Sequence, residues 1–406
     1  MRIALVYAHF NLTGSHPRIQ VQLARYLVEV EHDVHAYSFA PTRESELVPG
    51  VRFHDVPAAP VSGSRVGLAL HVASFARNAT RMIERDRAAY DVVYGLAMST
   101  WEQDIIHIGG VLRGEIRRER LSRESAPGAV RRIKDALLPV SHPIVPVRAF
   151  IERRIYEDRV PFEIHVDSRR TRDDLLAAYD VDPGRIRIVH PGVNLHEFGP
   201  PADRLAARRE VGVEGSEPVI LFCGADFPRK GLDRAVLALA KMREPAQLLV
   251  VGGGDPAFYE RLAIRLGVRE RVRFLGPRTD TWRFFQAADL FVLPTRVDMW
   301  GMTIVEAMAT AIPVITTTGA GAAEVIVHSE NGFVLPEPLD VDLLGETLDR
   351  LAADPELRLR IGRQARKSAL TLTAEQFGRQ TEAAMKEIAE RRKRVTSARA
   401  KPSLSR

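Results

Sequence analysis

The stretch "PVILFCGADFPRKGLDRAVLALA", residues 218–240, changes its hydrophobic period in the middle. Val219–Cys223 is a short unbroken apolar run, which reads as a buried strand. Beyond Gly224, a short loop carries Arg229, Lys230 and Gly231, and apolar residues at helical spacing follow. A strand-to-helix turn with two cations and a glycine suits a phosphate. The glycine admits close backbone approach, the helix start offers free N–H groups, and the side chains supply charge. A solvated basic turn accounts for the same residues, and the Walker pattern GxxxxGK[ST] is absent, which argues against a P-loop enzyme.

Outward from this stretch the alternation continues in both directions. Strand candidates are "RIALVYA", "HDVHAYSF", "VRFHDVP", "DVVYGL", "DIIHIGG" and "FEIHVDS" before it, and "AQLLVVGGG", "VRFLGP", "DLFVLPT", "PVITTT" and "GFVLPE" after it. Helical patterns lie between, such as "PRIQVQLARYLVEV" and "TIVEAMAT". Strands alternating with helices predict parallel sheets covered on both faces. Proline and glycine concentrate around "HPGVNLHEFGPPADRLAARREVGVEGSEP", where the alternation resets. The expected organisation is an α/β protein of two Rossmann-like domains facing across a cleft. An N-terminal domain takes residues 1–190, a linker 191–217 and a second domain 218–372. A helix over 373–393 crosses back to the first domain, and 394–406 is a basic disordered tail. Ligands of such sheets bind at the carboxyl ends of the strands.

Bulk properties agree with a soluble protein of two domains: 406 residues, 45% hydrophobic and 27% charged,. The single cysteine, Cys223, excludes an internal disulfide framework and sits in a strand as an inert core thiol,. No window is long and apolar enough for a membrane span. The N-terminal "MRIALVYAHFNLTGSHP" is too short in its apolar run for a signal peptide and reads as a first strand. A cytoplasmic location is expected. The net charge of +6 gathers in "RGEIRRERLSR", "RRIK", "RAFIERRIYEDR" and the tail. Such segments suit an anionic membrane surface at the inner face of the plasma membrane, or are solvated Arg-rich faces. Charge alone supports no nucleic-acid partner, and no recognition motif accompanies it.

Two further segments carry candidate chemistry. "LLVVGGGDP" ends a strand in Gly252, Gly253 and Gly254, where a flat ring or a phosphate can lie against backbone, although a tight turn uses the same residues. "DMWGMTIVEAMATAIPV", residues 298–314, places Asp298 and Glu306 around Gly301. Met302 and Thr303 open a helix whose free N–H groups suit a phosphate. Glu306, one turn in, suits the two hydroxyls of a ribose, and Asp298 those of a sugar.

The motifs "FCGADFPRKGLDRAVLALA", "LLVVGGGDP", "VRFLGP", "AADLFVLPT" and "GMTIVEAMATAIPVI" resemble, in order and spacing, the retaining glycosyltransferases of family 4, which have the GT-B fold. "HPGVNLHEF" is similar to that family's interdomain junction. Within the family, "ADFPRKGLDRAVLALA" resembles the type that adds the first glucose of the lipopolysaccharide outer core. The resemblance implies that Arg229 and Lys230 hold the donor pyrophosphate, with Gly224 and Gly253 in the same cradle. It implies that Glu306 binds the ribose and the backbone at Gly301, Met302 and Thr303 the distal phosphate. Asp298 stands where the family has a glutamate contacting the transferred sugar. Gly14 and Ser15 fall where it has a glycine pair. Asp298 is one methylene shorter than glutamate, Ala225 replaces a phosphate-binding arginine found in many members, and Ala311 and Ser15 replace glycines.

The family also carries a histidine at the end of a first-domain strand. His107 is the candidate, with His9 and His190 as rivals and a structural role as the alternative. The reaction implied is retaining transfer of a hexose from a nucleotide-diphosphate sugar, UDP-sugars included, to a hydroxyl of a glycan or lipid-linked acceptor. Arg229, Lys230 and the helix start stabilise the leaving diphosphate. Neither an Asp-x-Asp pair at a strand end nor a cluster with metal-ligand spacing is present, so no metal or other cofactor is expected. The competing readings are a silent nucleotide-sugar-binding protein and a GT-B epimerase or phosphorylase.

Overall fold

The computed structural model describes the backbone of residues 1–10, 15–39, 48–61, 64–114, 116 and 143–400, and the side chains of these except 15–16 and 395–400. Two compact units divide the chain: Met1–His190 with Glu375–Arg406, and Pro191–Ala374.

The first unit is built on β1 (Arg2–Val6), β2 (Asp33–Ser38), β3 (Arg52–Asp55), β4 (Val92–Leu96), β5 (Ile105–Ile108), β6 (Glu163–Val166) and β7 (Ile186–Ile188). They form a seven-stranded parallel sheet in the order β3-β2-β1-β4-β5-β6-β7. Alternation along β1 sorts the two faces. Ile3 and Leu5 join the core shared with α1 (Ser15–Glu29), whereas Ala4 and Val6 meet Phe75, Ala79 and Ile83 of α2 (Arg65–Asp86). Ile151 of α3 (Ile144–Arg153) and Leu175 of α4 (Arg169–Ala178) cover the far end of the sheet. The short strand β7 escapes the sequence reading because it holds three residues, all half-buried, with Arg187 in the middle. That arginine pairs with Glu163 at 2.6 Å and Glu387 at 2.8 Å.

The second unit contains β8 (Val219–Cys223), β9 (Gln247–Val251), β10 (Val272–Phe274), β11 (Leu290–Leu293), β12 (Val314–Thr317) and β13 (Phe333–Leu335). The sheet order is β10-β9-β8-β11-β12-β13, every pairing parallel. The helices are α5 (Arg204–Glu210), the single turn α6 (Phe227–Lys230), α7 (Leu232–Lys241), α8 (Ala257–Arg265), α9 (Thr281–Ala287), α10 (Met302–Ala309), α11 (Val341–Ala353) and α12 (Pro355–Ala369). The segment expected as a linker, 191–217, is part of this unit. Its helix α5 sends the buried Arg208 to the Ala287 carbonyl and to Asp289 at the mouth of β11.

The last helix, α13 (Ala374–Ala400), belongs to the first unit from Glu375 onward. Phe377, Ala384, Met385, Ile388 and Ala389 enter the core beside α1. Helix continues to Ala400, seven residues beyond the expected end at 393 and into the expected tail; 401–406 lie outside the described residues. In each sheet the strand order reverses once, between β1 and β4 and between β8 and β11. Such a switch point opens a crevice at the carboxyl edge, where ligands of open α/β sheets bind.

Candidate active site

The crevice at the β8/β11 switch is lined by the loops that the sequence singled out. After β8 the chain passes Gly224 and Ala225 to Asp226, whose φ of 59° is left-handed, and then makes the single turn α6. Gly231 closes that turn at φ 79°, and a Cβ there would collide with the carbonyl oxygen of Pro294 in the loop after β11. Glycine at 231 is therefore required both by conformation and by the close approach of a second loop.

The two loops are fastened to one another. Arg296 N–H donates to the Arg229 carbonyl at 2.9 Å, and Thr295 Oγ1 donates to the same oxygen at 3.1 Å. The Arg296 guanidinium forks onto both carboxylate oxygens of Asp233 at 2.9 and 2.7 Å and reaches the Pro228 carbonyl at 2.7 Å. A bidentate pair of this kind fixes geometry as well as charge. The hydrogen bond and charge of Asp233 hold the Arg296 guanidinium above its ordinary pKa, against the lowering effect of burial. Sequence reasoning missed this brace, although Asp233 stood inside one quoted motif and Arg296 directly after another.

Within this frame Lys230 and Asp298 form a close ion pair, their side chains only 12% and 11% exposed. The aliphatic stem of Lys230 lies over Gly224, whose Cβ would sit 3.4 Å from Lys230 Cγ. Arg229 donates to Asp226 at 2.8 Å and to the Val297 carbonyl at 3.0 Å, and stands 3.8 Å from Asp298. Asp298 is held by its own backbone. It bridges Ala320, its N–H donates to the Gly319 carbonyl at 2.9 Å, and its carbonyl accepts from Gly321 N–H at 2.9 Å.

Gly301, at φ 97°, turns the chain into α10. Thr303, in the first turn, has a buried Oγ1 without a hydrogen-bond partner. Such a hydroxyl marks a place built for something else to complete. Met302 and Glu306 are both buried, Glu306 one turn into the helix.

The three glycines after β9 separate in role. Gly252, at φ 141°, abuts the Gly224 backbone, and a Cβ on Gly254 would lie 2.6 Å from the Phe227 ring. Both are needed for packing. A Cβ on Gly253 meets nothing within 4 Å, so this glycine borders open space.

In the first unit, His107, the candidate sugar contact, lies within the core. Its side chain is 0% exposed in the middle of the sheet. Nδ1 bonds Tyr94 OH at 2.8 Å, Nε2 bonds Asp167 at 2.5 Å, and Phe377 of α13 packs 5.5 Å away. With both nitrogens engaged under a covering helix, it is a core residue. His9 is half-buried at the end of β1, its ring stacked 5.3 Å from His71. Burial first, and then His71, lowers its pKa. His190 bonds the Asp167 carbonyl at 2.9 Å through Nδ1. Gly14 lies outside the described residues, and Ser15 opens α1 with its side chain also outside them.

With this geometry in place, the comparisons with known proteins can be read. A family profile described as "Glycosyl transferases group 1" matches residues 203–368, which include every loop of the crevice just described. Residues 203–368 are thus similar to the group 1 glycosyl transferases. A D-inositol 3-phosphate glycosyltransferase of Corynebacterium efficiens is 27% identical over 369 residues, 85% of this chain and 82% of that protein. The lipopolysaccharide glucosyltransferase WaaG of Escherichia coli K12 is 31% identical over 230 residues, 55% of this chain and 62% of WaaG. A crystal structure of WaaG superposes with a TM-score of 0.75 at 24% identity, covering 96% of this chain and 99% of that one. A structure of Anabaena HepE in complex with UDP-glucose gives 0.70 at 17% identity, covering 95% and 100%. The chain thus shares the two-domain GT-B fold of these structures, as the motifs led one to expect.

Proposed function

We propose that this protein is a glycosyl transferase that moves a hexose from a nucleotide-diphosphate sugar to an acceptor hydroxyl with retention of anomeric configuration. The observation that carries the reading is the meeting, at one switch point, of the Arg229–Lys230 cations with the N-terminus of α10 and its unpartnered Thr303 hydroxyl. Cations and free helix N–H groups on one crevice are what a diphosphate requires.

In this reading Lys230, Arg229 and the first N–H groups of α10 stabilise the charge that grows on the diphosphate as the sugar–oxygen bond breaks. The acceptor hydroxyl attacks from the face the phosphate leaves, and the departing phosphate oxygen takes its proton. Retention follows without a protein base, and the chain's cations do the electrostatic work with no metal. Glu306 receives the ribose hydroxyls and Asp298 those of the sugar. The acceptor is a glycan or lipid-linked hydroxyl held by the first unit. Two of the relatives are named for inositol 3-phosphate and for lipopolysaccharide, both hydroxyl-bearing molecules.

Peripheral contact with an anionic membrane belongs to the same proposal. No helix among the described residues is long and apolar enough to cross a membrane. The basic segment "RAFIERRIYEDR" is largely neutralised by its neighbours, with Arg153 on Glu157 at 2.8 Å and Arg159 on Glu84 and Glu102 at 2.7 and 2.9 Å. Residues 117–142 carry the remaining basic charge of this region and lie outside the described residues. Salt-sensitive sedimentation with anionic vesicles is expected; indifference to lipid charge removes this part of the proposal.

The main test is a panel of UDP-, GDP- and ADP-sugars read by mass spectrometry for released diphosphate and the anomer formed. One donor is expected to turn over, and Lys230→Ala to abolish the turnover. Failure of every donor to bind or react overturns the proposal, and binding without turnover on any acceptor would favour a silent nucleotide-sugar-binding protein.

A further inference from the structure

The Asp298 carboxylate occupies a telling position. It lies against Lys230 Nζ and folds back over the start of α10, close enough that a Cβ on Gly301 would be 3.2 Å from Asp298 Oδ2. Those two neighbours, a cation and the N-terminus of an eight-residue helix, are the features that favour an anion here,. Meanwhile the Asp298 backbone is locked into its bridge with Ala320, so the main chain is fixed while the side chain alone can turn.

We infer that Asp298 is an internal stand-in for the donor phosphate: it pairs with Lys230, and it must surrender that lysine when the diphosphate enters. This rests on the donor site proposed above. Two consequences follow from charge. The carboxylate opposes an incoming phosphate by competing for Lys230 and by like-charge repulsion. Once displaced, it is a free acceptor beside the sugar, so an intact donor recovers by hydrogen bonds what the diphosphate alone loses. Asp298 thereby discriminates nucleotide sugar from spent nucleotide and favours product release.

The test compares binding of UDP, GDP and ADP, and of the matching diphosphate sugars, to the full chain by calorimetry at constant salt. For the diphosphate that wild type binds, Asp298→Asn is expected to bind about tenfold more tightly, the order expected for removing one nearby like charge. Its affinity for the sugar donor does not rise in step, so the preference for donor over diphosphate falls. Asp298→Glu keeps the charge and stays within about threefold of wild type for the diphosphate. Should Asp298→Asn fail to fold, Asp298→Ser removes the carboxylate with less bulk beside Gly301 and carries the same expectation. Diphosphate binding to the charge-removing variant that equals or falls below wild type overturns the inference and leaves the donor site standing. No binding of any diphosphate to any form overturns the donor site itself, and the inference with it.

Discussion

Three glycines of the second unit provide a controlled experiment, because alanine meets a different obstacle at each. At Gly231 the backbone is left-handed, φ 79°, and a Cβ collides with the Pro294 carbonyl oxygen, to which Arg234 donates a hydrogen bond at 3.1 Å. The left-handed conformation costs a residue with a Cβ about 1–2 kcal/mol, and overpacking adds about 1–3 kcal/mol. Gly231→Ala is therefore expected to lose about 2–5 kcal/mol, with the Lys230 turn displaced. Gly267 is left-handed too, φ 71°, with nothing within 4 Å, so Gly267→Ala loses only the conformational part, about 1–2 kcal/mol,. At Gly253 neither obstacle is present, and Gly253→Ala stays within about 0.5 kcal/mol of wild type,. Urea unfolding, with the slope compared between variants, measures all three. Donor titration then separates packing from binding. If a ligand passes over Gly253, a methyl there weakens donor binding about tenfold at unchanged stability. The reasoning fails if Gly231→Ala costs no more than Gly267→Ala, and the donor path is wrong if Gly253→Ala binds donor like wild type.

Other expectations follow from single side chains. Thr303→Val removes a buried hydroxyl that has no partner, so stability holds or rises by up to about 1 kcal/mol while donor affinity falls about tenfold,; unchanged affinity in a calorimetric titration counts against a phosphate there. His107→Ala leaves Tyr94 and Asp167 without their shared partner and loses about 3 kcal/mol in denaturant unfolding,. Turnover per folded molecule falls less than about tenfold, and a much larger loss restores a direct role in the reaction. Burial by itself would raise the Glu382 pKa, and hydrogen bonds from Lys386, His32 and Tyr26 outweigh it and hold the carboxyl at about 2, below its ordinary 4.5. A depressed carboxyl stabilises the folded chain above its unfolded pKa and loses that stabilisation as pH falls through the folded one. Attachment of α13 is thus expected to weaken as pH drops from 4.5 toward 2, and hydrogen exchange in 374–394 should register it; Glu382→Gln flattens that dependence.

The strands of the second unit were legible because their information is local. A short apolar run, a turn and a helical period are contiguous in "PVILFCGADFPRKGLDRAVLALA", and the structure turns from strand to helix within that stretch. The strand β7 was not legible because an edge strand of three residues needs only one covered side and tolerates Arg187. The role of 191–217 was hidden for a different reason. Proline and glycine do interrupt the alternation there, but Arg208 docks on residues 79 and 81 positions later, which no local pattern registers.

The site divides along the same line. Residue types and turns that suit a phosphate were readable, whereas the contacts that set their charge state join positions far apart in sequence. Lys230 and Asp298 are 68 residues apart, and Arg296 and Asp233 are 63. His107 shows the limit from the other side. Alternation in "DIIHIGG" tells which face of the strand it shares with Gly109 but not what covers that face, and the cover comes from Phe377 in the last helix,. Gly252, Gly253 and Gly254 read identically in sequence, yet one needs a left-handed backbone, one borders open space and one makes room for a ring. Lys230 completes the argument. Without Asp298, a lysine only 12% exposed would be left unpaired in a crevice, an arrangement that costs stability, and the chain answers with an acid in the position where the family's pattern has one,. On the inference drawn above, the carboxylate that pairs with Lys230 is also the group a donor has to move, so stability and affinity for ligand are opposed at Asp298.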